Sequence, residues 1–240
     1  MKFKNEFWAF IPARSGSKGL KNKNIKKLSG LPLIAYSIRT ALKCKNIKKT
    51  IFSSDSLKYL KLAKKYGCKD FHLRSQTISS DKSSELSVFQ DFLKRRIKEN
   101  LPIPLYLVHL RPTTPIRKLQ TLYRSINYFK KIANQSSSLR TVTLLSNPAF
   151  RYSRIINKKL CALTKKDFHL DKWFRPRQFF PKTYISNAII DIYKSKNILK
   201  GLLFGNKVRP YIIKDLYNDI DSIEDFRLVE YYINNKSNLF

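Results

Sequence analysis

Apolar runs and amphipathic stretches take turns along the first 145 residues. The unbroken run "FWAFI" (7–11) predicts a buried strand. A helical pattern follows over 32–44, opened by Pro32, and then a strand over 48–54. Leu57, Leu60, Ala63 and Tyr66 fall on one face of a helix over 55–67, and Gly67 is placed to end it. A short strand over 69–74 precedes an amphipathic helix over 85–100, with Leu86, Phe89, Leu93 and Ile97 in register. "LYLVHL" (105–110) predicts a central strand, 117–132 a helix and 139–145 another strand.

This alternation predicts βαβ units, a mostly parallel sheet and right-handed crossovers. After about residue 150 the rhythm changes to a hairpin over 151–163 turning at "NKK", strands over 183–194 and 206–213, and a closing helix over 222–235. With no internal repeat, linker or low-complexity tract, residues 1–240 are expected to form one α/β domain. Ligands of such sheets bind beyond the carboxyl ends of the strands. That directs attention to the loops beginning near 12, 53, 74, 111 and 146.

Composition changes this picture little. A formal charge of +33, from 49 Lys+Arg against 16 Asp+Glu, is a first cue for nucleic acid. The lysines, however, are spread from Lys2 to Lys236 without a block of like charge, so no specific nucleic-acid partner is expected. The same charge suits a small anionic substrate. Cys44, Cys68 and Cys161 are widely spaced and read as reduced thiols. The apolar run before Pro12 is too short for a signal peptide, and no stretch approaches a membrane span. The expectation is a soluble cytoplasmic protein.

Four segments carry candidate chemistry. "IPARSGSKGLKNKNI" (11–25) follows the first strand. Gly16 and Gly19 allow close backbone approach and positive φ, Arg14, Lys18, Lys21 and Lys23 add charge, and Ser15 and Ser17 add donors. This suits a triphosphate, although neither GxxxxGK[ST] nor GxGxxG is present. A solvated basic loop is the plainer alternative. In "YNDIDS" (217–222), Asp219 and Asp221 lie two apart and share a side of an extended segment, as a pair holding Mg²⁺ would. The alternative is a helix cap, with Asp221 as N-cap and Glu224 closing a capping box. "RPTTPIR" (111–117) is a rigid loop offering Arg111, Thr113 and Thr114 as donors. In "RPRQFFPKTYISNA" (175–188), Arg175, Arg177 and Gln178 suit an anion, while Phe179, Phe180 and Tyr184 either wall a sugar or base or belong to the core. His109, inside an apolar run, is expected to be a packed core residue, and His72 and His169 have no partner at metal-ligand spacing.

In this order the segments resemble the acylneuraminate cytidylyltransferase family, which comprises the CMP-sialic acid and CMP-nonulosonate synthetases. "IPARSGSKGLKNKN" (11–24), "SSD" (53–55), "RSQTISSD" (74–81), "HLRPTTPIR" (109–117), "PRQFFPKTYISNAIIDI" (176–192) and "DIDSIEDF" (219–226) match family motifs across nearly the whole chain. The resemblance implies a Rossmann-like, GT-A-like nucleotidyltransferase fold: a three-layer sandwich around a mostly parallel sheet, with a small C-terminal hairpin as a dimerisation element. It implies CTP and a nonulosonic acid as substrates, Mg²⁺ as cofactor, a homodimer, and a CMP-sugar made for surface glycans such as lipopolysaccharide. By resemblance, Arg14, Ser17, Lys18, Gly19, Lys23, Asn24, Arg74, Arg111 and Thr113 surround the nucleotide. Arg177, Gln178, Tyr184 and Asn187 face the sugar, and Asp219 and Asp221 hold magnesium. Lys18 and Lys23 stabilise pyrophosphate beside the two aspartates.

Three positions depart from the family pattern. Arg111 stands for Gln, Ala188 for Gly and Asp191 for Tyr. The alternatives are a 3-deoxy-octulosonate cytidylyltransferase and a non-catalytic polyanion-binding protein.

Overall fold

The computed structural model describes residues 2–17, 19–80, 83–163, 175–215 and 218–235. Its centre is a seven-stranded sheet built around β1 (Phe3–Pro12). β1 lies between β4 (Ile47–Ser54) and β6 (Ile103–His109), parallel to both, and β5 (Asp70–Leu73) continues the sheet beyond β4. On the other side of β6, β10 (Tyr184–Lys194) runs antiparallel to β6 and to β7 (Ser138–Leu144), and β11 (Val208–Ile212) closes the edge parallel to β7. The order is β11-β7-β10-β6-β1-β4-β5, so a single reversed strand sits in an otherwise parallel sheet. Pro210 is tolerated in β11 because that strand is at an edge.

Alternate residues of β1 feed two cores, as a strand buried on both faces requires. Phe7, Ala9 and Ile11 pack with α1 (Leu33–Lys43), α2 (Leu57–Lys65) and α4 (Leu119–Ile132). Trp8 and Phe10 pack with α3 (Glu85–Lys98) and α5 (Ser195–Leu199). This is the expected three-layer sandwich. A third cluster joins Leu33 and Tyr36 of α1 and Ile116 to Ile220 and to Phe226 and Val229 of α6 (Ile223–Asn235). It draws the C-terminal segment back over the start of the chain.

Local chemistry accounts for the boundaries. Ser56 caps α2, and Gly67 at φ 92 ends it, with the Cys68 N–H reaching back to the Ala63 carbonyl. Of the face expected for α2, Ala63 is buried and Leu60 and Tyr66 pack against the same core, joined by Tyr59; Leu57, 63% exposed, is corrected to the outer side. Two short strands, β2 (Lys27–Leu28) and β3 (Leu31–Pro32), form a hairpin before α1 that periodicity misses, as it misses α5. The hairpin of β8 (Ser153–Ile156) and β9 (Lys159–Ala162) turns at Asn157 and Lys158, both at positive φ, as a tight two-residue turn demands. His109 is fully buried, as expected, and burial drives its pKa well down, so it is neutral. No helix is long and apolar enough to cross a membrane among the described residues.

Candidate active site

A cavity of about 560 Å³ lies beyond the carboxyl ends of β1 and β6 and beside the loop after β5, where the topology predicts a ligand. Its wall includes Arg14, Ser17, Gly19, Lys23 and Asn24 from the basic loop, Arg74, Arg111 and Thr113 from the next two loops, and Asp221 from the C-terminal segment. Lys18 lies outside the described residues, as does His169.

The basic loop and the segment before α6 meet here. Lys23 Nζ donates to the Ile220 carbonyl at 2.6 Å and to the Asp221 carboxylate at 2.9 Å. Gly19 passes so close to Asp221 that a Cβ would sit 2.5 Å from its carbonyl oxygen. Glycine is needed at 19 for this approach and not for positive φ, which neither Gly16 nor Gly19 adopts. Among the described residues of the loop, the left-handed one is Asn22, at φ 53. The Thr113 carbonyl accepts from the Ile220 N–H, tying the loop after β6 to the same segment.

Helix capping is shifted by one residue from the sequence expectation. Ser222 and Asp225, rather than Asp221 and Glu224, exchange the reciprocal capping bonds at the start of α6. The Asp221 carboxylate is therefore spared the cap and bonds Lys23 instead. Ile220 is buried between exposed Asp219 and Asp221, so both acids lie on the outer side of the segment. Only Asp221 is among the described lining residues of the cavity.

Asp55, whose role the sequence reading missed, pins the basic loop. Its carboxylate accepts from the Ser15 N–H at 2.8 Å and the Ser15 hydroxyl at 2.9 Å. The available signal was an acid one residue past a strand end, facing a loop that contains no acid. Asn24 donates to the Arg14 carbonyl at 2.9 Å and holds the loop's curvature. Arg74 is buried, donates to the Ser53 carbonyl, and has its Nε without a partner. Burial lowers its pKa, Asp55 opposes that, and Arg14 adds to it.

Beneath the cavity, the Ser53 hydroxyl lies 2.9 Å from His72 Nδ1, and His72 Nε2 lies 2.8 Å from Asp91. The order resembles a nucleophilic triad, but Ser53 is fully buried. Burial outweighs Asp91 and lowers the His72 pKa to about 4, so the Asp91 contact is a hydrogen bond and not an ion pair. A carboxylate only accepts, so Nε2 carries the proton and Nδ1 accepts from Ser53.

The loop after β6 differs from its sequence reading. Thr114 faces inward, donating to the Arg111 and Ala188 carbonyls, while Thr113 stays on the cavity wall. Arg117 is buried and donates to the Ile189 and Arg111 carbonyls and to Ser37 and Thr114. Burial, and then Arg111, lower its pKa to about 9. The loop thus rests on the bulge of β10 between Ser186 and Asp191.

Arg111, expected beside the nucleotide, lines the cavity but is held by acids. It donates to both Glu85 oxygens at 2.9 and 2.8 Å and to Asp191 at 2.9 Å. Two departures from the family pattern therefore pair with each other. Glu85 was not singled out in the sequence, although an acid in a first helical turn is a visible feature. Asp191 is fully buried, also accepts from Tyr193, and has Arg140 3.3 Å away in an ion pair without hydrogen-bond geometry.

The expected sugar residues do not gather in the cavity. Asn187 is buried. Its amide donates to Thr143 and accepts from Thr141 and Ile189, which corrects it to a residue that fixes the bulge. Arg177 and Gln178 are exposed in a short 3-10 turn, and Tyr184 is exposed at the start of β10. Phe179, at 68% exposure, is not core.

A cytidylyltransferase family model matches residues 8–228. Post-translational flagellin modification protein B of Campylobacter coli is 33% identical over 237 residues, spanning 97% of this chain and 97% of that protein. The CMP-N,N'-diacetyllegionaminic acid synthase of Campylobacter jejuni is 33% identical over 234 residues, with 97% of each covered. A solved structure of CMP:2-keto-3-deoxy-manno-octonic acid synthetase complexed with CTP has a TM-score of 0.69 at 12% identity, covering 95% of this chain and 98% of that one, a likeness of fold. Consistent with the strand-end cavity and the basic loop joined to the Asp221 segment, the match over residues 8–228 places this chain in the cytidylyltransferase family.

Proposed function

We propose that the protein transfers CMP from CTP to the anomeric hydroxyl of a nonulosonic acid. The supporting observation is the convergence of the basic loop and the Asp221 segment on one cavity. A relative 33% identical over 97% of its length is named as a CMP-nonulosonate synthase. For the 3-deoxy-octulosonate alternative the support is a likeness of fold at 12% identity.

In this reading the anomeric oxygen bonds to the α-phosphorus as the bond from that phosphorus to the β-phosphate oxygen breaks. The hydroxyl proton goes to solvent, and pyrophosphate leaves with the electron pair. The chain supplies position and charge: Arg14, Lys23 and Arg74 neutralise phosphate oxygens, and no side-chain nucleophile is required. Among the described residues no group of three or more His, Cys, Asp or Glu forms a metal cage. Magnesium commonly needs only one or two carboxylates, with phosphate and water completing its shell. Asp221, free of the cap, fits that role, and Asp219 on the same side is the second carboxylate. When bound, the ion would polarise phosphate oxygens.

Pyrophosphate release from CTP with a panel of nonulosonic acids tests the proposal. Release that needs both the sugar and the metal is expected. Silence across the panel, with salt-sensitive binding to DNA or RNA, would favour a polyanion-binding protein.

The reading includes a homodimer joined through the β8–β9 hairpin. That hairpin exposes Ile155 by 76% and Leu160 by 48%, a costly display for a surface left in water. Light scattering should show a dimer for the native chain and a monomer for Ile155→Glu. A dimer that survives the substitution removes the hairpin from the interface.

A further inference from the structure

The cavity holds a guanidinium already bound to a carboxylate in the way a ligand would bind it. Arg111 donates through Nε and Nη2 to the two oxygens of Glu85, a bidentate fork, and through Nη1 to Asp191. An arginine has five N–H groups, so two remain.

The two acids are unequal. Asp191 is 0% exposed and is held from other sides by Tyr193 and Arg140, making it a permanent counter-ion. Glu85 is 44% exposed and stands in the first turn of α3 on the cavity wall. Among the described residues its other close titratable neighbour is His109, 3.9 Å away and neutral. Glu85 stays hydrated when it leaves Arg111, because its side chain already stands 44% in solvent, whereas removing Asp191 from Arg111 would strand a buried charge.

We propose that Glu85 is a resident competitor for Arg111: its carboxylate occupies the seat of a substrate oxyanion and yields it when substrate binds. The inference rests on the reading of this cavity as the CTP and acid-sugar site. The seat takes a carboxylate or a phosphate. The nonulosonic acid carries the first and CTP the second. Arg111 is then a substrate-binding residue whose charge is held by Asp191, and Glu85 sets the apparent affinity by lowering the fraction of sites ready to bind.

Calorimetric titration of CTP, N-acetylneuraminic acid and its methyl ester into the native protein, Glu85→Gln and Glu85→Asp tests this. Glu85→Asp retains the charge on a shorter arm, separating loss of the seat's occupant from loss of a negative charge in the cavity. Both variants should bind one anionic ligand about three- to five-fold more tightly, with melting curves unchanged. A gain for the acid but not its ester assigns the seat to the sugar carboxylate, and a gain for CTP alone assigns it to phosphate. No gain for either ligand, a gain for Glu85→Gln alone, or a native protein that binds neither ligand overturns the proposal. A native protein that binds CTP but releases no pyrophosphate with any nonulosonic acid defeats the proposed function, while the CTP titrations still decide the role of Glu85.

Discussion

At the scale of single residues, two positions show opposite uses of one methyl group. Gly19 has an atom of Asp221 where its Cβ would be. Gly19→Ala should push the basic loop off the C-terminal segment. A displacement of about 1 Å at a reacting site costs on the order of 10²-fold, so kcat/KM for CTP should fall at least ten-fold with little change in melting temperature. An unchanged kcat/KM would mean that the contact does not shape the site. Ala188 is the converse: it holds φ 57, a left-handed conformation that favours glycine, at a position where the family pattern has glycine. Ala188→Gly should stabilise the fold by about 0.5–1 kcal/mol in denaturant titrations, and destabilisation would contradict the strain. Lys23, Asp221 and Arg111, which line the cavity, were legible as candidates because charge and motif marked them. That Arg111 pairs with Asp191 was not legible, because 80 residues of chain separate the partners. Asn187 was misread for the same reason: its polar amide marks a site in sequence, but the hydrogen bonds that consume it come from another strand.

At the scale of elements, hydrophobic periodicity located every strand of the central sheet, since strands buried on both faces read as apolar runs. It did not reveal that β10 runs backwards between β6 and β7, because reversal leaves period and composition unchanged. It also missed α5, too short to show a period. The junction of β4, β5 and α3 carries a titratable link in His72, whose pKa is lowered to about 4 in the fold against the ordinary histidine value of 6.5. Between those values the unfolded chain binds more protons than the folded one, so stability rises with pH there and is lost on acidification from about 6.5 toward 4. At 1.36 kcal/mol per unit the loss attributable to His72 reaches at most about 3 kcal/mol. Denaturant titrations at pH 7 and pH 4.5 should show native stability falling, and His72→Phe should flatten that slope. An equal slope in both proteins would place the acid sensitivity elsewhere.

At the scale of the molecule, a net charge of +33 is spread over the surface, and function rests on where a few charges converge. Packing of Phe226 and Val229 of α6 with Leu33 and Tyr36 of α1 brings the last described helix to the first. That arrangement sets Asp221 against Lys23 and Gly19 at the mouth of a cavity already lined by three arginines. The basic loop and the Asp221 segment are expected to hold one nucleotide between them. Calorimetric titration of CTP with magnesium into the native protein, Lys23→Met and Asp221→Asn tests this most directly. One site per chain is expected in the native protein, with an affinity loss of about ten-fold or more in either variant; native affinity in both would mean that the two segments do not share the nucleotide.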